Sequence, residues 1–180
     1  KMTYREMREL SYAGFSVFHD EAIIPAIEGQ IPINVKNTNQ PDLPGTLIVP
    51  EQHFEPTQII TGVASSNRFA ALYLHRYLLN KEVGFTLKLL KVLYKYNVSY
   101  EHMPSGIDDL TVIFDKTQLD TDTIHAMCHD IQEVLHPDTL QWINDYAILM
   151  VVGEGMRNQI GVTAHIFESL VDHNIGVPMI

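Results

Sequence analysis

One stretch of this chain occurs twice, and the repetition limits the folds that are open to it. Residues 84–103 (GFTLKLLKVLYKYNVSYEHM) align without gaps on residues 161–180 (GVTAHIFESLVDHNIGVPMI). Four pairs of positions are identical: Gly84/Gly161, Thr86/Thr163, Leu93/Leu170 and Asn97/Asn174. Each copy has the pattern of an amphipathic helix that begins after a glycine, ends at an asparagine and leads into a strand.

A further predicted strand precedes each copy, at residues 69–74 (FAALYL) and 147–152 (AILMVV). A strand, a loop, a helix and a strand in this order form half of a βαββαβ module. The chain is therefore predicted to hold two related small modules in an α+β fold. Duplication of this kind is typical of a binding or regulatory protein.

The region before the modules has a different pattern. Residues 4–29 are predicted to be helical with a break at Gly14, and the second helix starts at about His19 and ends at Gly29. Residues 31–37 (IPINVKN) alternate apolar and polar side chains, as in a half-buried strand. The turn-rich segment that follows is predicted to be a surface loop.

The first module is predicted to open with a hairpin, in which strands 59–64 and 69–74 pair across Ser65, Ser66 and Asn67. Its remaining elements are a helix at 83–96, strands at 98–102 and 110–114, and a helix at 119–135 capped by Asp120 or Thr121. The second module begins at Tyr146 and stops at Ile180 before its later strand and helix. Strand 31–37 can fill part of that gap, and an edge left open would invite pairing with another chain.

Charge and composition exclude several classes of protein. A formal net charge of −10 argues against nucleic-acid binding, which needs a basic surface. Cys128 is the one cysteine, so no internal disulfide can form, and a reducing cytoplasmic location is expected. No apolar run approaches 18 residues. A helix already under way at Tyr4 suggests that the chain is part of a longer protein.

The two glycine-led loops are the best candidates for a site. Residues 80–85 (NKEVGF) and 155–161 (GMRNQIG) each join a strand to a helix N-terminus, where backbone amides and the helix dipole favour a carboxylate or a phosphate. The alternative is that Gly84 and Gly161 merely permit a tight connection. Because the loop is repeated, both interpretations stay open.

No active site can be identified from the residues alone. His125 and His129 share a helical face, as zinc ligands can, but no glutamate for general-base catalysis separates them and no second motif supplies further ligands. A solvated helix face is the favoured interpretation, and Cys128 is interpreted as a core residue. Gly153-Glu154-Gly155 is too short for a dinucleotide fingerprint. We therefore expect no metal and no catalytic residue.

Four stretches together carry a family resemblance that spans nearly the whole chain. They are YREMRELSYAGFSVFHDEA at 4–22, IPINVKNTNQPDLPGTLI at 31–48, SYEHMPSGIDDLTVI at 99–113 and VVGEGMRNQIGVTAHIFESL at 151–170. In these stretches the chain resembles the C-terminal part of the aspartate kinases (aspartokinases). The resemblance implies that residues 1–29 are the last helices of a kinase domain, followed by two ferredoxin-like ACT modules. The first module (57–140) is inserted into the second (30–48 plus 145–180), which is truncated at its C-terminal end.

The same resemblance implies a function. Aspartate kinases phosphorylate the β-carboxylate of aspartate with MgATP, the first step toward lysine, threonine and methionine. Their ACT modules pair into dimers and bind an end-product amino acid, usually lysine and sometimes lysine with threonine, that inhibits the kinase. The Lys-Phe-Gly-Gly-Thr-Ser type of motif that opens the kinase domain is missing from these residues. The chain is therefore expected to be catalytically silent and to bind no cofactor, with MgATP bound elsewhere in the full enzyme.

The resemblance also implies an effector site. Its residues in the first module are Leu79, Glu82, Val83, Gly84, Phe85, Thr86, Ser99, Tyr100, Ser105 and Gly106, and the corresponding loop of the second module contains Met156, Asn158, Gln159, Ile160 and Gly161. Amides of the glycine loop would receive the carboxylate of the effector, and the neighbouring strand would receive its α-ammonium. Glu82, Glu101 or Asp108 would pair with a distal charge. Glu82 departs from the family pattern, in which a small polar residue is common. The alternative is an ACT pair that serves oligomerisation alone.

Overall fold

The computed structural model describes residues 1–15, 17, 20–52 and 54–180. The chain forms two compact units. Unit 1 contains Lys1–Ser66 and Ile148–Ile180, and unit 2 contains Asn67–Ala147. Both modules were predicted from sequence with boundaries at 57–140 and at 30–48 plus 145–180, and these boundaries stay predictions. The α+β fold with ferredoxin-like modules is confirmed.

Unit 1 is built on a small sheet with the strand order β1-β3-β2. Its elements are β1 (Met2–Thr3), α1 (Tyr4–Tyr12), α2 (Ile24–Glu28), β2 (Ile33–Val35), β3 (Thr46–Val49), the start of β4 (Gly62–His75), the end of β6 (Thr139–Val152) and α5 (Val162–Val171). β3 pairs in parallel with β1 and antiparallel with β2. Two buried clusters hold the unit: Tyr4, Met7, Ile23 and Ile48, and Leu10, Ala13, Ala64 and Val152.

The predicted helix break at Gly14 is confirmed. α1 ends at Tyr12, and Gly14 takes φ +112°, with its virtual Cβ only 2.9 Å from the Ser65 carbonyl oxygen. The predicted start of the second helix near His19 lies outside the described residues. α2 ends before Gly29 as predicted, but the left-handed residue behind this helix is Gln30, with φ 52°.

Unit 2 has the strand order β5-β4-β6. It contains α3 (Phe85–Lys95), β5 (Asp109–Asp115), α4 (Thr121–Leu135) and parts of β4 and β6. β4 and β5 are antiparallel, in a register that runs from Phe69 opposite Asp115 to His75 opposite Asp109. On the other side of β5, His102 bridges Ile113. The segment around His102 therefore completes the βαββαβ order.

One apolar core fills unit 2 between the sheet and the two helices. It is formed by Leu72, Leu74, Leu79, Phe85, Leu89, Val92, Leu93, Leu110, Val112, Phe114, Met127, Ile131 and Leu135. Trp142 stacks on Phe114 with ring centroids 5.6 Å apart. Of the two predicted caps of α4, Asp120 is the one used, because its Oδ1 accepts a hydrogen bond from the Thr123 amide at 2.7 Å.

The repeat seen in the sequence is reproduced in the backbone. Gly84 and Gly161 both stand before their helices in the left-handed region, with φ +83° and +89°. Asn97 and Asn174 follow the two helices, also left-handed, with φ 54° and 55°. In both copies the next amide bonds the carbonyl of the repeated leucine: Val98 to Leu93 at 3.1 Å and Ile175 to Leu170 at 3.0 Å. The identical residues of the repeat therefore include those that delimit its helices.

Three predicted features of the strands differ from the structure: the first hairpin, the strand at 98–102 and the strand after the second repeated helix. The hairpin across Ser65, Ser66 and Asn67 is wrong, because β4 runs without interruption from Gly62 to His75. The segment Ser65-Ser66-Asn67 contains neither glycine nor proline, so nothing in it interrupts a strand. The side chains of Ser65 and Asn67 occupy exposed positions of β4. The strand predicted at 98–102 is reduced to the single bridge at His102. No strand forms at 175–180 in the described part of the chain, where none of the strands pairs with these residues.

Gly153 and Gly155 follow β6 where two backbone segments pack closely. A Cβ at Gly153 would lie 2.2 Å from the Ile59 carbonyl oxygen, and one at Gly155 would lie 2.3 Å from that of Gln58. Because the obstructing atoms belong to the backbone, a side chain can be accommodated only if one segment moves. These glycines are therefore required for packing within unit 1.

Leu89→Ala is expected to destabilise unit 2 by about 2–5 kcal/mol, because it empties a fully buried core position. Leu87→Ala on the same helix is the control, since that side chain is 57% exposed and should cost under about 1 kcal/mol. Trp142, the only tryptophan, reports on this unit, so urea unfolding followed by its fluorescence gives both values. Equal effects of the two changes would contradict the described core.

Gly155→Ala is expected to lower the stability of unit 1 by about 1–3 kcal/mol through the overlap with the Gln58 carbonyl. Gly176→Ala serves as its control, because no atom lies within 4 Å of its virtual Cβ. Thermal unfolding followed by far-ultraviolet circular dichroism compares the two variants. A Gly155→Ala variant as stable as the unchanged chain would show that this close approach does not exist.

Candidate functional site

The loop before α3 presents backbone amides at the start of an 11-residue helix. Gly84 occupies the N-cap position in the left-handed conformation, and no side chain caps the helix there. Phe85 is buried and anchors the first turn, whereas Val83 is 97% exposed. Thr86 is half-buried on the same turn. The Phe85 amide already donates to the Glu82 carbonyl at 3.3 Å, whereas no atom lies within 4 Å of a Cβ built on Gly84. The start of the helix at Gly84 thus faces open surface, which favours an anionic ligand group.

Hydrogen bonds bring the segment before this loop to the turn that precedes β5. The Asn80 amide donates to the Ile107 carbonyl at 3.1 Å, and the Leu78 amide donates to Asp108 Oδ1 at 2.8 Å. Leu78 itself takes φ 62°, a conformation that non-glycine residues adopt at a cost of about 1–3 kcal/mol. Ser105 and Gly106, which are exposed, lie directly before Ile107. Two of the segments predicted to form the effector site are thus neighbours.

Glu82 is already engaged by cations of its own unit. One of its oxygens lies 2.7 Å from Lys88 Nζ and the other 3.0 Å from an Arg76 guanidinium nitrogen. The hydrogen bond from Lys88, helped by the charges of Arg76 and Lys88, lowers the pKa of the Glu82 carboxyl against the opposing effect of desolvation. Of the three carboxylates predicted to pair with an effector charge, Glu82 is therefore the least available.

Glu101 and Asp108 are the remaining carboxylates. Glu101 is half-buried, and among the described residues no cation lies within ion-pairing distance of it. Burial, followed by the charge of Asp115, raises the pKa of the Glu101 carboxyl. Asp108 is half-buried and uses one oxygen to accept the Leu78 amide. An incoming ammonium group would stabilise the charged form of Glu101.

Ser99 and Tyr100, which lie near the start of the predicted strand at 98–102, were also assigned to the effector site. The Ser99 amide and hydroxyl both donate to Gln118 Oε1 at 3.0 Å, and the Ser99 carbonyl accepts from Gln118 Nε2 at 2.9 Å. Ser99 is therefore bound to Gln118 through all its polar groups. Tyr100 is 43% exposed. Leu79 is 7% exposed and belongs to the core, so its contribution to the loop is structural.

The second-module loop repeats the backbone of the first but not its side-chain anchor. A 3₁₀ turn at Glu154–Met156 leads to a hydrogen bond from the Gln159 amide to the Met156 carbonyl at 3.1 Å. Asn158, Gln159 and Ile160 are exposed, Ile160 by 96%, and Gly161 stands before α5 as Gly84 does before α3. Val162, at the position of buried Phe85, is only half-buried.

The sequence interpretation missed Glu6, a carboxylate that is only 2% exposed. It accepts hydrogen bonds from the Thr3 amide at 2.8 Å, the Thr61 hydroxyl at 2.7 Å and the Glu154 amide at 2.8 Å. The Thr3 hydroxyl in turn accepts the Glu6 amide, which completes a capping box at the start of α1. The Thr-x-x-Glu spacing at 3–6 was the signal that could have identified the helix start.

Two surface grooves lie away from these loops. One, of about 440 Å³, follows α1 in unit 1, and the other, of about 420 Å³, lies between α3 and α4 and is lined by Lys88, Lys91 and Lys95. Neither contains any of the predicted effector-site residues.

The two histidines that were weighed as zinc ligands, with a solvated helix face as the favoured interpretation, lie on an exposed helix face. His125 and His129 are both exposed on α4, and within the described residues no three histidine, cysteine or acidic side chains come together as a metal site would require. Cys128 is half-buried against the core of unit 2, and burial raises the pKa of its thiol. Among helices in the described ranges, none combines the length and apolarity needed to cross a bilayer.

The chain is similar to known proteins over its whole length. A family model described as ACT domain matches residues 149–180. Aspartokinase 3 of Bacillus subtilis is 44% identical over 180 residues, which cover 100% of this chain and 39% of that protein. The bifunctional aspartokinase/homoserine dehydrogenase of Haemophilus influenzae is 27% identical over 98% of this chain and 22% of its own length. The chain therefore spans less than half of either relative.

Solved structures agree with these relatives. The aspartate kinase of Clostridium acetobutylicum superimposes with a TM-score of 0.86 at 39% identity, covering 99% of this chain and 40% of that one. E. coli aspartokinase III in complex with aspartate and ADP (R-state) gives a TM-score of 0.75, covering 94% of this chain and 38% of that one. The same enzyme in complex with lysine and aspartate (T-state) gives 0.66, covering 93% and 37%. At 20% identity these two show the fold alone.

The sequence similarity and the structural similarity to aspartate kinases thus both extend over nearly all 180 residues. The ACT match lies at the C-terminal end. The chain is therefore similar over its whole length to part of the aspartokinases, and its residues 149–180 match the ACT domain.

Proposed function

We propose that this chain is the amino-acid-sensing part of an aspartate kinase. The full protein would convert ATP and L-aspartate to ADP and 4-phospho-L-aspartate, with MgATP and aspartate bound outside these 180 residues. The similarity to an aspartokinase and to an aspartate kinase supports this activity for the full protein. Because the chain matches only about 40% of either relative, this partial match supports a regulatory role for these 180 residues. Feedback by an end product of the pathway to lysine, threonine and methionine is the function that best fits an ACT-containing segment.

The observation that carries the proposal is the glycine loop before α3, held by hydrogen bonds beside the turn at Ile107 and Asp108. A free amino acid carries a carboxylate and an ammonium group about two bonds apart. The α3 amides offer a place for the carboxylate. Glu101 and Asp108 offer negative charge for ammonium groups, because Glu82 is already paired.

Lysine is the proposed effector. Its second ammonium group needs a carboxylate partner in any partly buried position, and unit 2 offers one in Glu101, which has no cationic partner among the described residues. The lysine complex of the structurally similar E. coli enzyme supports this choice. Val83 and Ile107, which are 97% and 69% exposed beside the loop, favour a ligand covered by a second copy of the chain.

Regulation would follow from two arrangements of the ACT pair with different affinities for the effector. Residues 1–29, which we assign to the end of the kinase domain, would carry the difference to the catalytic site. Coupling free energies of this type are typically about 1–3 kcal/mol, a factor of about 5–150 in affinity. Aspartate or ATP must then weaken effector binding to the full enzyme by the same factor.

A second candidate function is oligomerisation without a ligand. β6 is 14 residues long and lies at one end of the strand order β5-β4-β6, so among the described strands its outer edge has no partner and is open to another chain. A homodimer is expected under both proposals. Only the first requires that an amino acid bind.

Lysine is expected to raise the unfolding temperature of this chain. At about 100 times its dissociation constant a ligand adds about 2.7 kcal/mol, which corresponds to roughly 5–10 °C for a chain of this size. Threonine, methionine and diaminopimelate, measured in the same way, serve as comparisons. A shift with one of these instead of lysine would reassign the effector, and no shift with any would favour the oligomerisation function.

Glu101→Gln is expected to weaken lysine binding by about tenfold or more, because an ion pair with the ammonium group becomes a hydrogen bond to an uncharged acceptor. Glu133→Gln is the matched control: it makes the same change of charge on an exposed residue of α4. Isothermal titration of both variants separates the specific effect from the change in net charge. Equal affinities in the two variants would remove Glu101 from the proposed site.

A further inference from the structure

The two oxygens of the Glu6 carboxylate accept hydrogen bonds from different parts of unit 1. Oε2 accepts the Thr3 amide and completes the cap of α1. Oε1 accepts the Thr61 hydroxyl at 2.7 Å and the Glu154 amide at 2.8 Å, and neither donor belongs to the helix. A capping box uses only the first of these contacts. The second oxygen therefore connects α1 to two segments that are distant in sequence.

This connection replaces the usual ion pair of a buried carboxylate. Glu6 is 2% exposed, and the structure records no ion pair to it among the residues described. Arg5, the residue before Glu6, instead pairs with the Glu154 carboxylate at 3.6 Å. Three hydrogen-bond donors therefore satisfy the carboxylate. Among the described residues Oε2 depends on the Thr3 amide, so loss of that donor would leave a buried acceptor without a partner.

The segment that Glu6 holds has little freedom on its other side. Gly153 and Gly155 pack so closely on residues 58–60 that a Cβ at either position would overlap the opposite backbone. Glu154 stands between these glycines, with its amide on the Glu6 carboxylate. The chain then continues through the 3₁₀ turn and the exposed residues 157–160 to Gly161 and α5.

We propose that Glu6 is a positioning residue that ties α1 to the second-module loop at 153–161, so that a change in this loop is transmitted to α1. The tie itself follows from the hydrogen bonds, whereas its role in signalling rests on the regulatory function proposed above. α1 is joined to the loop at one carboxylate oxygen, so the two segments shift together or the buried charge loses a donor. The Gly-Glu-Gly sequence at the start of this loop provides the amide for this contact and the close backbone packing beside it.

Hydrogen exchange of single amides tests the tie in the 180-residue chain. In Glu6→Gln the side chain keeps one acceptor oxygen for three donors, so the Thr3 and Glu154 amides cannot both remain bonded to it. At least one of these two amides is expected to exchange about tenfold faster or more than in the unchanged chain. Glu9→Gln, an exposed residue on the same helix, should leave both unchanged.

A second variant separates the tie from general loss of stability. Thr61→Val removes one donor to Oε1 but leaves the amide bonds of Thr3 and Glu154 to Glu6 in place, so neither amide is expected to exchange as fast as in Glu6→Gln. Unchanged exchange at both the Thr3 and the Glu154 amide in Glu6→Gln would overturn the tie, and so would an equal acceleration of the Glu154 amide in Glu6→Gln and Thr61→Val. An equal increase at every amide of unit 1 would also overturn it, because a local connection cannot loosen the whole unit uniformly.

The signalling role is tested in the full enzyme with saturating lysine. Lysine is expected to change the exchange of α1 amides in the unchanged enzyme, and this change should shrink severalfold in Glu6→Gln while the enzyme still binds lysine by titration. A full response of α1 in Glu6→Gln would overturn the signalling role. Absence of any lysine binding to the unchanged enzyme would overturn the sensing function, whereas the tie would still stand or fall by the exchange at Glu154.

Discussion

Both copies of the sequence repeat depend on left-handed backbone conformations at four positions. Gly84 and Gly161 turn the chain from a loop into a helix, and Asn97 and Asn174 turn it out again. Glycine meets this demand without steric cost, and asparagine tolerates it better than most residues. The length and position of each helix, and with them the amides at its start, follow from these turns.

The two copies of this turn–helix–turn unit have been used differently. In the first, Phe85 and Leu89 bury the helix against a continuous sheet, and hydrogen bonds to Ile107 and Asp108 hold the approach to the loop. In the second, α5 has no fully buried residue. The loop before α5 is held from its other end, by the Glu6 carboxylate and by close backbone packing at Gly153 and Gly155. The same local geometry is thus supported by apolar burial in one unit and by a buried charge in the other.

The acidic chain also distributes its charges unevenly around the candidate site. Glu82 is neutralised by Arg76 and Lys88, which lowers its pKa. Glu101 has no such partner among the described residues, and burial raises its pKa. Two carboxylates that look alike in the sequence therefore differ in what they can bind. Only the fold reveals which of them is free for a cationic ligand.

What the sequence determined by itself was local. The repeat, the glycine and asparagine turns, the Asp120 cap and the break at Gly14 could all be predicted, because each depends on the conformational preferences of a few neighbouring residues. The tertiary structure decided whatever depends on distant partners. Ser65 and Asn67 are polar residues that lie within the continuous strand β4 instead of forming a turn. The Glu6 carboxylate is buried where the Thr61 hydroxyl and the Glu154 amide donate hydrogen bonds to it. Strand pairing and charge compensation are set by residues far apart in the chain, so no local pattern could have predicted them.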